Sequence, residues 1–189
     1  MREYCQQCQY PLKTCICEYI QEFEVPHRLI VLQHPFESTN AKNSARLVKL
    51  CLPQTEIQVG ETESDFESIK NSIDVTKTAV LFPSGGSKSI ESQILKKIDT
   101  FIFIDATWRK ALKMWCLNPW LHTLPTFHFD KAPKGQYPIR KAPQVGYLST
   151  LEAMNYVITK ENPGLKTPLM KVFRHFNNQF LSFRPDDLK

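Results

Sequence analysis

Three uninterrupted apolar runs punctuate the chain: Leu29 to Leu32 within Arg28–Gln33, Ala79 to Phe82, and Phe101 to Ile104. Each is rich in β-branched, aromatic or leucine side chains and lacks alternation, the pattern of strands buried on both faces of a parallel sheet. Weaker strand signals lie at 56–59 and 126–129. Helical periodicity occupies the intervals. Ala45, Val48 and Leu52 recur within 41–52, and 66–73 is a plausible helix. Ile90, Ile94, Leu95 and Ile98 form a stripe within 87–98. Beyond the third run, Trp108, Ala111, Leu112, Trp115 and Cys116 recur at helical spacing, with Arg109, Lys110 and Lys113 on the opposite face. Two further helices are expected at 148–159 and 168–183. Such alternation predicts an α/β fold with a mainly parallel sheet flanked by helices. The chain contains no internal repeat and no low-complexity segment.

Function concentrates at the joint Phe101 to Met114, FIFIDATWRKALKM. Asp105 ends the apolar run and Thr107 stands as N-cap of the next helix. A carboxylate at the carboxyl end of a central strand lies where open α/β sheets place their ligands. Two other polar segments follow strands and belong to the same edge: His34 to Thr39 and Pro83-Ser84-Gly85-Gly86-Ser87. The glycines permit close backbone approach, and amides preceding the expected helix suit a carboxylate or phosphate; a plain turn explains them too. His34 is a second candidate base, with Glu37 as its orienting partner. Arg46 suits a carboxylate or phosphate, with a solvated arginine as the competing reading. Trp108 and Trp115 read first as core, and as ligand-stacking groups second. Ser149 and Glu152 fit a helix cap as well as they fit a ligand site.

Length and composition narrow the class. The 189 residues suffice for one domain with a sizeable core. No stretch approaches the roughly 20 apolar residues of a membrane span, and no apolar segment follows Arg2, so a soluble cytoplasmic protein without a membrane partner is expected. No obligate protein partner is evident. Net charge is +5, but residues 1–100 stand at −2 and residues 101–189 at +7. The basic half is the expected polyanion face. Within it, KAPKGQYPIRK carries Lys131, Lys134, Arg140 and Lys141 without an acid, and Tyr137 is placed to stack on a base. An ordinary solvated loop is the other reading of the same composition.

Cys5, Cys8, Cys15 and Cys17 fall within 13 positions. In a chain with no secretion signal this spacing points to tetrahedral structural zinc in preference to disulfides, since four thiolates leave no open position for a catalytic water. An iron–sulfur cluster, a redox pair and free thiols are the alternatives. Cys51 and Cys116 are expected to be buried as small hydrophobes. The organisation expected is a knuckle and acidic connector over 1–24, then a catalytic domain over 25–189.

The tetrad Asp105-Ala106-Thr107-Trp108 resembles the signature of the DTW-domain family. The resemblance extends in order through His34-Pro35-Phe36-Glu37, Asn43-Ser44-Ala45-Arg46, Leu81-Phe82-Pro83 and Ser149-Thr150-Leu151-Glu152-Ala153, spanning about residues 28–160. It implies transfer of the 3-amino-3-carboxypropyl group of S-adenosylmethionine to N3 of a tRNA uridine, in the variable loop, with methylthioadenosine released. Asp105, His34 and Glu37 are then the catalytic candidates. The cofactor candidates are Ser84, Gly85, Thr107, Trp108, Tyr147, Leu148, Ser149 and Glu152, and Arg46 with the 131–141 loop is left for RNA. The family is related to SPOUT methyltransferases, implying a C-terminal knot around the cofactor pocket. One physical objection attends Asp105: a helix N-terminus favours the carboxylate form and so opposes a role as base. The rival functions are a SAM-dependent RNA methyltransferase and a non-enzymatic zinc-bearing RNA-binding protein.

Overall fold

The computed structural model describes residues 3–133, 135–137 and 148–182. Six strands form one sheet: β1 (Arg28–Gln33), β2 (Glu56–Val59), β3 (Thr78–Leu81), β4 (Lys88–Ser89), β5 (Thr100–Asp105) and β6 (Thr126–His128). Their spatial order is β2-β1-β5-β3-β6-β4, and every pairing is parallel. The neighbouring strands β1 and β5 run in register from Arg28↔Thr100 to Gln33↔Asp105. All six strands therefore end at one edge, and Asp105 lies beside Gln33.

Successive strand residues face opposite sides of the sheet. On one side Leu29, Val31, Ala79, Leu81, Phe101 and Phe103 pack beneath three helices, α2 (Ser44–Cys51), α5 (Thr150–Glu161) and α6 (Leu169–Ser182). Cys8, Tyr10 and Ile16 of the cysteine-rich segment join this same cluster, with Tyr10 tilted against Phe176. On the other side Ile30, Leu32, Val80, Phe82 and Ile102 meet Phe66 and Ile69, and Ala111 and Met114 of α4 (Trp108–Leu117). The short helices α1 (Pro35–Ser38) and α3 (Glu67–Ser72) complete the set. No helix among the described residues is long and apolar enough to cross a membrane.

Two expectations fail for clear reasons. The stripe within 87–98 does not form a helix: Lys88–Ser89 pairs with β6, Ile90–Ser92 is a 3-10 turn, and Ile94 is 84% exposed. Long-range partners decide this segment. Glu91 accepts hydrogen bonds from Ser89 Oγ (2.7 Å), Tyr156 OH (2.9 Å) and the backbone N–H groups of Lys131 (3.0 Å) and Asp130 (3.2 Å). Those bonds exist only off the helical path. On α4, Ala111 and Met114 are buried and Trp108 and Trp115 pack beside them, while Leu112 and Cys116 are exposed. One residue step rotates a helix by about 100°, so Leu112 and Cys116 follow Ala111 and Trp115 out of the buried sector. Cys51 is buried as expected. Much of the 131–146 loop, which the resemblance assigns to the cofactor pocket of a C-terminal knot, lies outside the described residues.

Candidate functional site

Asp105 closes β5 and is 5% exposed, deep for a carboxylate. Its oxygens are both engaged. Oδ2 accepts from Gln33 Nε2 at 2.7 Å, and Oδ1 accepts from Thr150 Oγ1, the first residue of α5, at 2.5 Å. Gln33 Nε2 also reaches Asn43 Oδ1 (3.3 Å), which caps α2 by accepting from the Arg46 amide (3.1 Å). The starts of α2 and α5 thus converge on one carboxylate through buried side chains. Such a group is stable in the interior only because its charge is met by donors.

His34 follows directly, its amide donating to the Asp105 carbonyl at 3.0 Å. Its Nδ1 accepts the Phe36 amide (3.1 Å), so the ring carries its proton on Nε2, which donates to Glu61 Oε1 at 3.2 Å. The carboxylate facing His34 Nε2 is therefore that of Glu61; Glu37, the partner suggested by the sequence, is buried and accepts from Asn40 Nδ2 at 3.4 Å. Lys113 Nζ also binds Glu61 Oε1 at 3.0 Å. Glu61 is held below the usual carboxylate range, first by Lys113 and then, against some loss of solvation, by His34.

The turn after β3 is open. Ser87 Oγ donates to the Ser84 carbonyl (2.7 Å), accepts the Ser84 amide (3.1 Å) and pairs with His128 Nδ1 (2.8 Å), tying the turn to β6. Gly85 and Gly86 are exposed, neither has positive φ, and a Cβ on either would meet nothing within 4 Å. The fold does not require glycine there. No α-helix follows, so the amides of this turn are not a helix N-terminus. Ser84 and Gly86 border a cavity of about 530 Å³ whose walls include Lys88, Trp115, His122 and Phe127.

Thr107 holds the N-cap position of α4 but makes no capping bond with its side chain. Trp108 and Trp115 both stack on Phe82, at 5.6 and 4.8 Å between centroids. Ser149 and Glu152 form a capping box: Glu152 Oε2 accepts from Ser149 N (2.8 Å) and Oγ (2.7 Å), while Oε1 accepts the Gln136 amide. Leu148 is half-buried at its entrance. Arg46 lies 5.1 Å over the Tyr10 ring. Tyr137 is half-buried, tilted against Phe173 with its hydroxyl on the Lys42 carbonyl, so its ring is engaged by the core. Lys131 is exposed. Lys134, Arg140, Lys141 and Tyr147 lie outside the described residues. Gln33 and Glu61 were not anticipated from sequence; a glutamine closing a strand and an acid after a weak strand carry no local signal. Asn43 and Thr150 stood inside recognised motifs, but their convergence on Asp105 did not show.

The four N-terminal thiols are gathered. All Sγ atoms lie within 4.8 Å of one another, with Cys5–Cys17 at 3.5 Å and Cys8–Cys15 at 3.8 Å. Tetrahedral zinc with bonds of about 2.3 Å sets neighbouring sulfurs roughly 3.8 Å apart, so the cluster fits that ion. The amides of Cys8 and Gln7, with Cys17, draw the Cys5 thiol down to about 6, while burial pushes the Cys8 and Cys17 thiols up.

These features define a parallel α/β protein with a polar cluster at the carboxyl edge of its central strands and a four-cysteine knuckle packed on its core. The DTW-domain model matches residues 2–181, and the chain belongs to that family. It is 27% identical over 181 residues to tRNA-uridine aminocarboxypropyltransferase 2 of Macaca fascicularis. Identity is 26% to the proteins of that name from Mus musculus and Drosophila melanogaster, over 181 and 185 residues. Each match covers 90% of this chain; it spans 61% of each mammalian relative and 72% of the fly protein. No solved structure matches the chain.

Proposed function

We propose that the chain transfers the 3-amino-3-carboxypropyl group of S-adenosylmethionine to N3 of a tRNA uridine in the variable loop. The observation that carries this is the buried Asp105 carboxylate, oriented by Gln33 and Thr150 at the sheet edge of a DTW-domain protein whose relatives are named tRNA-uridine aminocarboxypropyltransferase 2. Asp105 first accepts a hydrogen bond from uridine N3–H, fixing the imide edge, and then takes the proton as the nitrogen attacks. The N3–C bond forms at the γ-carbon, the C–S bond breaks, and sulfur keeps the electron pair as neutral methylthioadenosine. The cation is thereby discharged and the proton stays on Asp105.

The open turn at Ser84 to Gly86 and the adjoining cavity suit the donor's nucleoside: the cavity is polar and aromatic, and the glycines leave backbone accessible. Thr107, whose side chain makes no capping bond, and Trp108, stacked on Phe82, follow Asp105 in the chain and complete the donor's candidate contacts. The knotted arrangement implied by the family relation belongs to this reading; the bond that ties the start of α5 to the end of β5 brings those two segments together at the site. Cys5, Cys8, Cys15 and Cys17 would hold structural zinc, which supplies cross-linking and no chemistry at the reacting atoms.

Incubation with unmodified tRNA and S-adenosylmethionine is expected to release methylthioadenosine in step with a mass gain on one uridine. Release of S-adenosylhomocysteine instead would establish methyl transfer. Binding of tRNA with neither product, unaffected by Asp105→Ala, would establish an RNA-binding protein.

A further inference from the structure

Phe36 is 71% exposed, well above the 50% of Tyr4, the other strongly exposed aromatic among the described residues. One exposed phenylalanine is ordinary on a protein surface; Phe36 is set apart by its place beside the candidate site and by the groups that meet its ring. Its ring is also held in place. Phe36 lies in the one-turn helix α1, nearly parallel to His34 (13°, centroids 5.5 Å apart), and His34 is anchored at both nitrogens by the Phe36 amide and Glu61. Lys110 Nζ stands 3.7 Å from the centre of the Phe36 ring, and Lys113, three residues on, reaches Glu61 on the same side of α4. The platform begins one residue beyond the strand end, since the His34 amide binds the Asp105 carbonyl.

We infer that Phe36 is a stacking platform for an unpaired base of the RNA substrate, with Lys110 moving from the ring to the adjacent phosphate as the base arrives. This rests on tRNA being the substrate of the Asp105 site. An aromatic face with an ammonium over it matches a nucleotide's two parts, a π surface and an anion. A protein partner would call for a broader apolar patch. Here the ring is met by His34 and Lys110, with the Lys113–Glu61 pair bonded to His34 and Pro35 the one exposed apolar neighbour in the chain. Stacking of a base next to the target splays the loop and presents the uridine edge to Asp105.

The test is equilibrium binding of unmodified tRNA to the full chain, without S-adenosylmethionine, across a salt series. Phe36→Ala is expected to weaken binding about 5- to 150-fold, the range seen for loss of one stacked base, with an unchanged salt slope. Phe36→Trp is expected to restore it. Lys110→Ala is expected to lower the slope of log affinity against log salt by about 1. Phe36 is exposed, so loss of fold does not confuse the result. A Phe36→Ala affinity within twofold of the parent overturns the platform while leaving the transfer reading intact; absence of any tRNA binding by the parent overturns both. Loss of binding in Phe36→Ala in a chain that releases no methylthioadenosine upholds the platform and overturns the transfer reading.

Discussion

The cysteine knuckle and the Asp105 cluster are both small polar assemblies on one core, yet they are built in opposite ways. The four thiols come from positions 5 to 17 and are gathered by local geometry: the Tyr4↔Pro11 bridge, the Cys5 amide on the Tyr10 carbonyl, and Gln9 in the left-handed region at φ 59°. Asp105 draws its partners from positions 33 and 150, and through Gln33 from 43. The first cluster needs only a few turns of chain; the second exists only when β1, β5, α2 and α5 have docked. The two are also joined. Buried Tyr10 places its hydroxyl 3.4 Å from the Asn43 carbonyl and its ring under Arg46, so the knuckle supports the helix end that Gln33 touches. A local four-cysteine unit thereby braces a non-local one.

The largest effect is expected from breaking the local unit. The intact chain should contain one zinc by atomic emission, and Cys8→Ser should lower stability by at least about 3 kcal/mol, a drop of roughly 6–12 °C in melting temperature. Transfer should fall with it through Tyr10 and Asn43; unchanged transfer by a folded Cys8→Ser chain would show that the two units are uncoupled.

Breaking the non-local unit should separate chemistry from stability. Asp105→Asn keeps size and most hydrogen bonding but removes the proton acceptor, so methylthioadenosine release under saturating substrates should slow by about 10²- to 10⁴-fold. Its melting temperature should stay within a few degrees of the parent's. A comparable loss of transfer with an unfolded far-UV spectrum would assign Asp105 a structural role only.

A smaller effect sharpens the contrast through pH. Burial alone would raise Glu91, but bonds from Ser89 and the Lys131 and Asp130 amides outweigh it and bring it down to about 2. A depressed carboxylate contributes stability that is complete above its unfolded value near 4.3 and is lost as pH falls toward 2. Glu91→Gln should therefore flatten part of the parent's decline in melting temperature between pH 5 and 2, measured as the difference between the two curves. Equal slopes would exclude Glu91 as the latch on 130–131. The smallest effect is Gln9→Gly, which relieves the left-handed backbone at φ 59° and should stabilise the metal-loaded knuckle by about 0.5–1 kcal/mol.

Much of the scaffold was legible. Arg28–Gln33 appears with the expected ends, and β3 and β5 follow their apolar runs within a residue or two, because strands buried on both faces must be apolar throughout. The thiol cluster was legible because its spacing is its geometry. The segment 87–98 was not, since Glu91 is claimed by residues 130, 131 and 156, about 40 to 65 positions away. Glu61 illustrates the same limit: nothing near it in the chain announces that β2 lies beside β1 and delivers it to His34.

By itself the sequence determined the α/β class, the knuckle and a carboxylate at the carboxyl end of a central strand, all of which depend on side-chain periods and spacings within a dozen residues. The order β2-β1-β5-β3-β6-β4 was decided only in three dimensions, and with it the pairing of Gln33 with Asp105 and the docking of Thr150 on the same carboxylate. The physical reason is range. Propensity and hydrophobic alternation act over a turn or a strand, whereas a buried charge must find its donors wherever the packing of distant elements brings them.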